Sequence, residues 1–205
     1  MQGFSTRQEL TQALARGPTG RSTFLTGVDG CGASGKSAVA AWIVWAAGGR
    51  AAGGSAVVHV DDFYTRGSRG ATVTDQPIGS HFDWRRLERQ VLAPLARDRP
   101  ARYQVYDWSR DELGEWAEVS PGGGVVVEGV TATRLELACY FDLTVWVECP
   151  REIRLTRGLL RDGESAREQW EIDWMPAEDR YVAEHRPHER AGLVVDGVTF
   201  LSEDR

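Results

Sequence analysis

Short runs of apolar residues recur along this chain, and helix-like stretches separate most of them. The runs fall at 23–28, 56–60, 124–128, 143–147 and 193–196. Runs that are apolar at consecutive positions are typical of strands buried on both faces of a parallel sheet. The pattern therefore predicts an α/β fold in which helices flank a five-stranded parallel sheet. Functional residues of such a sheet collect at the carboxyl ends of its strands.

One segment between the second and third runs has a different periodicity. Residues 102–108 and 115–119 alternate around the turn-forming residues 109–114, which predicts an antiparallel β-hairpin inserted at the sheet edge. We expect an acceptor-binding insertion of about 62–120 that contains this hairpin. Its rings Tyr106, Trp108 and Trp116 fit either a stacking surface for a flat substrate or ordinary packing.

Residues 152–168 predict a helix that ends in a turn near Gly163. Arg154, Arg157 and Arg161 recur at spacings of three and four, which places them on one helical face. Such a row fits a lid of about 154–170 that closes over a nucleotide. For Arg154 alone, a solvated face paired with acidic residues fits at least as well. Further along, helical spacing predicts core positions for Trp170, Trp174 and Tyr181.

Length, charge and cysteine content limit the classes of protein that fit. The 205 residues carry a net charge of −6, which predicts one domain, 1–205, and argues against nucleic acid or a membrane surface as a partner. The three cysteines match neither a metal-binding pair nor a set of disulfides. Thr6 and Glu9 have capping-box spacing where a secretion signal would be apolar, so we expect a cytoplasmic protein. A homo-oligomer is compatible with these features.

The most specific motif follows the first apolar run. Lys36 is the only lysine of the chain, and it lies in a complete G-x-x-x-x-G-K-S phosphate-binding loop. Glycines let such a loop turn tightly and point its N–H groups at phosphate oxygens, while the lysine follows the β- and γ-phosphates. A helix-like stretch at 37–45 completes the context. The predicted ATP-binding residues of the loop are Gly30, Cys31, Gly32, Ala33, Ser34, Gly35, Lys36 and Ser37.

Carboxylates stand at the ends of the second and third runs. Asp61 and Asp62 follow the second run, and Glu128 ends the third. An aspartate at this edge fits a general base that takes the proton of an acceptor hydroxyl, and we expect only one of the two to point inward. The alternative is a solvated pair at a strand end. Ser37 and Glu128 fit Mg²⁺ ligands, although Glu128 also fits an ordinary charged strand end.

These features follow one another in the order of a known family. The chain resembles the uridine kinase branch of the P-loop kinases (uridine/cytidine kinases, related to phosphoribulokinase) at 27–30, 60–64, 75–77, 105–107, 128–129 and 157–167. The order and spacing match over most of the chain. The resemblance implies a five-stranded parallel sheet with an inserted hairpin and a lid. It also implies transfer of the γ-phosphoryl group of ATP, with Mg²⁺, to a hydroxyl of uridine or cytidine.

The resemblance assigns roles on the phosphate side of the site. Asp61 matches the base of the family and a Mg²⁺ contact, whereas Asp62 falls where the family often has serine. Ser37 and Glu128 match the other positions associated with Mg²⁺. We therefore predict that Asp61 and Lys36 are the catalytic residues.

On the acceptor side, Asp75 matches an aspartate that binds sugar hydroxyls, and Tyr106 matches an aromatic residue that contacts the base. Two lid arginines also match. The resemblance places Arg161 near ATP and Arg167 near the substrate.

Two departures leave the acceptor open. Gly158 stands where the family has a substrate-side arginine, and Asp111 stands where a histidine helps to read the pyrimidine. A sugar, an antibiotic or another small alcohol is an alternative acceptor, and Arg66 and Arg69 fit a phosphorylated one. A non-catalytic regulatory protein is a third hypothesis, but it has no need of a base. A signalling GTPase fits less well still, because its guanine-reading motif Asn-Lys-x-Asp needs a lysine and Lys36 is the only one in the chain.

Overall fold

A parallel sheet of five strands forms the centre of the protein. The computed structural model describes residues 3–48, 55–67 and 76–200. The strands are β1 (Thr23–Asp29), β2 (Ser55–His59), β3 (Ala101–Asp107), β4 (Glu112–Val119), β5 (Gly123–Glu128), β6 (Leu143–Glu148) and β7 (Leu193–Asp196). Neighbouring strands of the central sheet, in the order β2-β5-β1-β6-β7, are all parallel, so the predicted sheet is confirmed.

Helices cover both faces of the sheet. On one face α1 (Arg7–Leu14) and α2 (Lys36–Gly48) pack against Phe24 and Val126. On the other face the segment from α3 (Trp84–Leu87) to α4 (Ala93–Leu95) packs against Leu25 and Val127. Because neighbouring residues of each strand face opposite layers, both must be apolar, which explains the continuous apolar runs. No helix among the described residues is long and apolar enough to cross a bilayer. The helices are α1 (Arg7–Leu14), α2 (Lys36–Gly48), α3 (Trp84–Leu87), α4 (Ala93–Leu95), α5 (Arg151–Asp162), α6 (Met175–His185) and α7 (Pro187–Arg190).

The smaller predicted elements are also present. β3 and β4 pair antiparallel as a separate two-stranded sheet, which confirms the hairpin. Thr6 and Glu9 form the capping box at the start of α1. α5 ends at Asp162, and the φ of 90° at the following Gly163 favours glycine. A π-helical stretch (Gln169–Trp174) then leads into α6.

The buried carboxylate of Asp29 joins three parts of the chain at the end of β1. Its Oδ1 accepts hydrogen bonds from the N–H groups of Gly30 at 2.7 Å and Thr131 at 3.1 Å. Its Oδ2 accepts from the N–H and the hydroxyl of Thr133, both at 2.8 Å, and from the Tyr181 hydroxyl at 2.5 Å. Burial raises the pKa of Asp29, and these hydrogen bonds lower it in part. The phosphate loop, the segment after β5 and α6 therefore meet at one side chain.

We predict that Asp29→Asn lowers the free energy of unfolding by about 2 kcal/mol or more, because its amide nitrogen would face hydrogen-bond donors in place of an acceptor oxygen. Urea denaturation followed by circular dichroism measures the loss. The matched control is Asp179→Asn, in an exposed pair with Arg151, which should change stability by less than about 1 kcal/mol. Equal losses in the two variants would contradict the role assigned to Asp29.

Candidate active site

Residues 30–37 form a tight loop between β1 and the first turn of α2. Gly35 has a φ of 104°, in the left-handed region that favours glycine. A Cβ atom at Gly30 would lie 2.7 Å from the carbonyl oxygen of Val147, so the approach of β6 also requires glycine there. α2 begins at Lys36, and the free N–H groups of its first turn belong to the loop. The geometry is that of an anion-binding helix N-terminus.

Lys36 is buried at the start of α2. Its Nζ donates a hydrogen bond of 2.8 Å to the carbonyl oxygen of Cys31. The Cys31 side chain packs in a small apolar cluster with Trp146 and Tyr181, and burial raises the pKa of its thiol. Cys31 therefore contributes its backbone, and not a thiolate, to the loop.

Ser37, Glu128 and His59 form a hydrogen-bonded group beside the loop. The Ser37 hydroxyl donates to Oε1 of Glu128 at 3.2 Å, and Nδ1 of His59 lies 2.6 Å from the same oxygen. Burial alone raises the pKa of Glu128, but the His59 hydrogen bond and the charge of Lys36 outweigh it and leave the pKa below its ordinary value. The same hydrogen bond raises the pKa of His59. Glu128 is thus held as a carboxylate at the end of β5.

Asp61 and Asp62 lie in a 3₁₀ turn (Val60–Phe63) directly after β2. Asp61 is open to solvent in the cleft, where the surrounding walls reduce its hydration and raise its pKa, and the charge of Lys36 opposes that shift in part. Asp62 is half-buried, and its Oδ2 accepts a hydrogen bond of 3.2 Å from the Tyr103 hydroxyl. The two carboxylates therefore have different surroundings. Asp61 lies in the same cleft as Lys36, and Asp62 lies against the hairpin.

The groups at this edge of the sheet suit Mg²⁺ and ATP. Ser37, Glu128 and Asp61 offer hydroxyl and carboxylate oxygens, the ligands that Mg²⁺ prefers. Within the described ranges, no group of three or more His, Cys, Asp or Glu side chains is arranged to hold a metal by itself. Mg²⁺ is commonly bound in this way, by one or two carboxylates together with substrate phosphates. The buried hydroxyl of Ser34 has no hydrogen-bond partner in this part of the chain, which leaves a polar group for a phosphate oxygen.

The predicted acceptor residues lie around the hairpin. Tyr106 is buried, and its hydroxyl donates a hydrogen bond to Asp111 in the hairpin turn. Its ring lies 5.2 Å from that of Tyr64 and 5.0 Å from that of Trp108, which is exposed at the rim. These rings form an aromatic wall. Asp75 lies outside the described residues, so acceptor binding by Asp75 and Tyr106 stays a prediction.

The two predicted lid arginines have different surroundings. Arg161 is largely exposed, and its Nε and Nη2 donate to Asp162 at 2.8 and 2.9 Å. Its charge interacts with that of Asp61 across the cleft. Arg167 pairs with Glu164 and Glu171 on the surface of the lid. Arg161 is therefore within electrostatic range of Asp61, and the binding roles of both arginines stay predictions.

Trp170 is buried, as its spacing predicts, and it packs directly on the phosphate loop. A Cβ atom at Gly32 would lie 3.0 Å from Cη2 of the ring, and one at Gly158 would lie 2.4 Å from its Cζ2. The indole N–H donates to Asp162 at 3.0 Å. The ring therefore takes the space that a side chain at position 158 would need, which explains the missing arginine there.

Glu178 is a residue of this site that the sequence analysis missed. Its carboxylate is buried on α6 and accepts hydrogen bonds from the N–H of Gly32 at 2.6 Å and from Nη1 of Arg154 at 2.8 Å. Helical spacing could have predicted that Glu178 is buried. It lies three residues from each of the buried Met175 and Tyr181, on the apolar side of the helix. Arg154 is buried with it, so the solvated-face interpretation of that arginine is wrong.

Comparisons with known proteins agree with this architecture. No protein-family model matches the chain. A "possible uridine kinase" from Bacillus stearothermophilus is 22% identical, with a TM-score of 0.71 over 92% of this chain and 96% of that one. A "putative fructose transport system kinase" from Silicibacter sp. TM1040 is 21% identical, with a TM-score of 0.65 over 94% and 98%. At such identities the likeness is one of fold, and it confirms the predicted P-loop kinase fold with uridine kinase-like neighbours.

Proposed function

We propose that this protein is an ATP-dependent kinase that transfers the γ-phosphoryl group to a hydroxyl of a nucleoside-like molecule of the uridine or cytidine type. One observation carries the proposal. Lys36, the hydrogen-bonded pair of Ser37 and Glu128, and Asp61 meet at a single edge of the sheet. A module that only binds nucleotides needs the loop, but it has no use for a carboxylate poised beside it.

Each residue has a distinct part in this reaction. Lys36 and the loop N–H groups other than that of Gly32, which Glu178 holds, bind the β- and γ-phosphates of ATP. Asp61 accepts the proton of the acceptor hydroxyl as that oxygen attacks the γ-phosphorus, and the bond from this phosphorus to the bridging oxygen of ADP breaks. Ser37 and Glu128 are the residues that would hold Mg²⁺, which supplies positive charge to neutralise the phosphates. Arg161 adds a cation from the lid.

A kinase for another small alcohol is the second candidate. Two positions on the acceptor side favour it because they lack the residues with which uridine kinases bind their acceptor. At Gly158 the ring of Trp170 occupies the space of the substrate-side arginine. Asp111 stands in place of the histidine that helps to read the pyrimidine, and it accepts a hydrogen bond from the Tyr106 hydroxyl. The structural likeness to a kinase described for a fructose transport system adds a sugar to the candidate acceptors.

Mass spectrometry of the products tests the proposal. The purified protein is incubated with Mg-ATP and a panel of uridine, cytidine, other nucleosides, pantothenate, simple sugars and antibiotics. A monophosphate of uridine or cytidine supports the leading proposal, and a phosphate on another alcohol supports the second candidate. No product from any member of the panel would count against a kinase and favour a regulatory nucleotide-binding protein.

We predict that Lys36→Met abolishes phosphoryl transfer, because methionine keeps the apolar stem but removes the charge that follows the phosphates. A coupled assay for ADP release, with the best acceptor of the panel, measures the loss. The far-ultraviolet circular dichroism of the variant should match that of the wild-type protein. Residual transfer above a few per cent would show that the lysine charge is dispensable.

We predict that Asp61→Asn binds ATP but turns over at least about 100-fold more slowly, a typical contribution of a general base. Asp62→Asn is the matched control, since the Asp62 carboxylate contacts Tyr103 and not the phosphate side. Its turnover should fall by less than about tenfold. Steady-state kinetics and calorimetric titration with ATP separate turnover from binding. A larger loss of turnover in Asp62→Asn than in Asp61→Asn would assign the general base to Asp62 and contradict the role of Asp61.

A further inference from the structure

Charged side chains hold both ends of the peptide group between Cys31 and Gly32. Its carbonyl oxygen accepts a hydrogen bond of 2.8 Å from the Lys36 ammonium, and its N–H donates one of 2.6 Å to the Glu178 carboxylate. The C=O and N–H of one peptide lie in a rigid plane and point in opposite directions. A carboxylate on one side and an ammonium on the other therefore set the orientation of this plane. Hydrogen bonds to charged groups are also stronger than neutral ones.

Glu178 is itself fixed in place. Its second carboxylate oxygen accepts from Nη1 of Arg154 at 2.8 Å, and both side chains are less than 10% exposed, at 6% for Arg154 and 8% for Glu178. Nε of Arg154 in turn donates to the carbonyl oxygen of Cys149, next to the end of β6, at 3.2 Å. The ring of Trp170 also packs against Gly32, close to the Glu178 carboxylate. The carboxylate thus ties the loop to the central sheet.

We propose that Glu178 is a positioning residue for the phosphate loop. By holding the N–H of Gly32, it turns the carbonyl of the same peptide toward Lys36 and so sets the position of the Lys36 ammonium before nucleotide binds. This inference rests on the function proposed above, because that position matters only if phosphates bind there. Glu178 acts through the peptide and Lys36. Without an acceptor at position 178, the peptide plane is free to rotate, and Lys36 loses its fixed partner.

A buried ion pair can also serve stability alone, so the test separates the hydrogen-bond acceptor from the charge. The double variants R154M/E178Q and R154M/E178M both remove the two charges and keep similar side-chain volumes. Only the first retains an oxygen that accepts from the N–H of Gly32. A third variant, E178D, keeps the charge beside Arg154 but shortens the reach to Gly32.

Calorimetric titration with Mg-ADP and with adenosine is the measurement. We expect R154M/E178M to bind Mg-ADP at least about tenfold more weakly than R154M/E178Q, the size of effect that one charged or buried hydrogen bond gives. Adenosine should bind both variants equally, because it carries no phosphate to meet the loop. E178D should also lose Mg-ADP affinity, and it decides the question if R154M/E178M does not fold.

Equal Mg-ADP affinities in the two double variants, or a parallel loss of adenosine affinity, would overturn the assignment of Glu178. With R154M/E178M unfolded, wild-type Mg-ADP affinity in E178D would do the same. The outcome is distinguishable from failure of the proposed function. A wild-type protein that binds Mg-ADP but transfers no phosphate would overturn the kinase proposal. The comparison of Mg-ADP affinities between the variants would still test the role of Glu178.

Discussion

The buried Asp29 carboxylate is the constraint on which the site depends. A carboxylate taken out of water is costly unless donors replace its hydration, and five hydrogen bonds from three segments do so here. One donor, the N–H of Thr131, comes from a residue with a φ of 67°, a strained conformation for a β-branched side chain. Another comes from Tyr181 of α6, the helix that carries Glu178. Satisfying Asp29 thus docks α6 on the sheet and brings Glu178 to the loop.

Carboxylates outnumber the single lysine around the phosphate loop, and two of them have local partners. Glu178 is paired with Arg154, and Glu128 is held by His59 and Ser37. Asp61 accepts no side-chain hydrogen bond from the part of the chain that the structure describes, and reduced hydration in the cleft raises its pKa. The negative charges of Asp61 and Glu128 would repel an arriving triphosphate. Electrostatics therefore favours a divalent cation that accompanies the nucleotide, in keeping with the oxygen ligands present.

Local sequence signals predicted most of the fold and the meeting of the phosphate loop, Asp61 and Glu128 at one edge of the sheet. Strands buried on both faces require apolar residues at consecutive positions, and a phosphate loop requires glycine and lysine at fixed spacing, so both are visible without a structure. The sequence predicts that only one of Asp61 and Asp62 points into the site. Which of the two does so depends on a 3₁₀ turn that two adjacent aspartates do not reveal. The contact of Glu178 with Gly32 joins residues far apart in the chain. It follows from the docking of α6, which no local pattern encodes.

Gly158 and Trp170 are two halves of one packing arrangement. A side chain at position 158 would displace the ring, and the ring both covers Gly32 and donates to Asp162. The same Oδ2 of Asp162 accepts from Nη2 of Arg161 at 2.9 Å, so the ring also helps to orient the lid arginine that interacts with Asp61. The lid of this chain is thereby coupled to the nucleotide side by packing. An arginine at 158 could not be added without undoing that coupling, so under the proposed function we expect selection of the acceptor to depend on the residues around Tyr106 and Asp111.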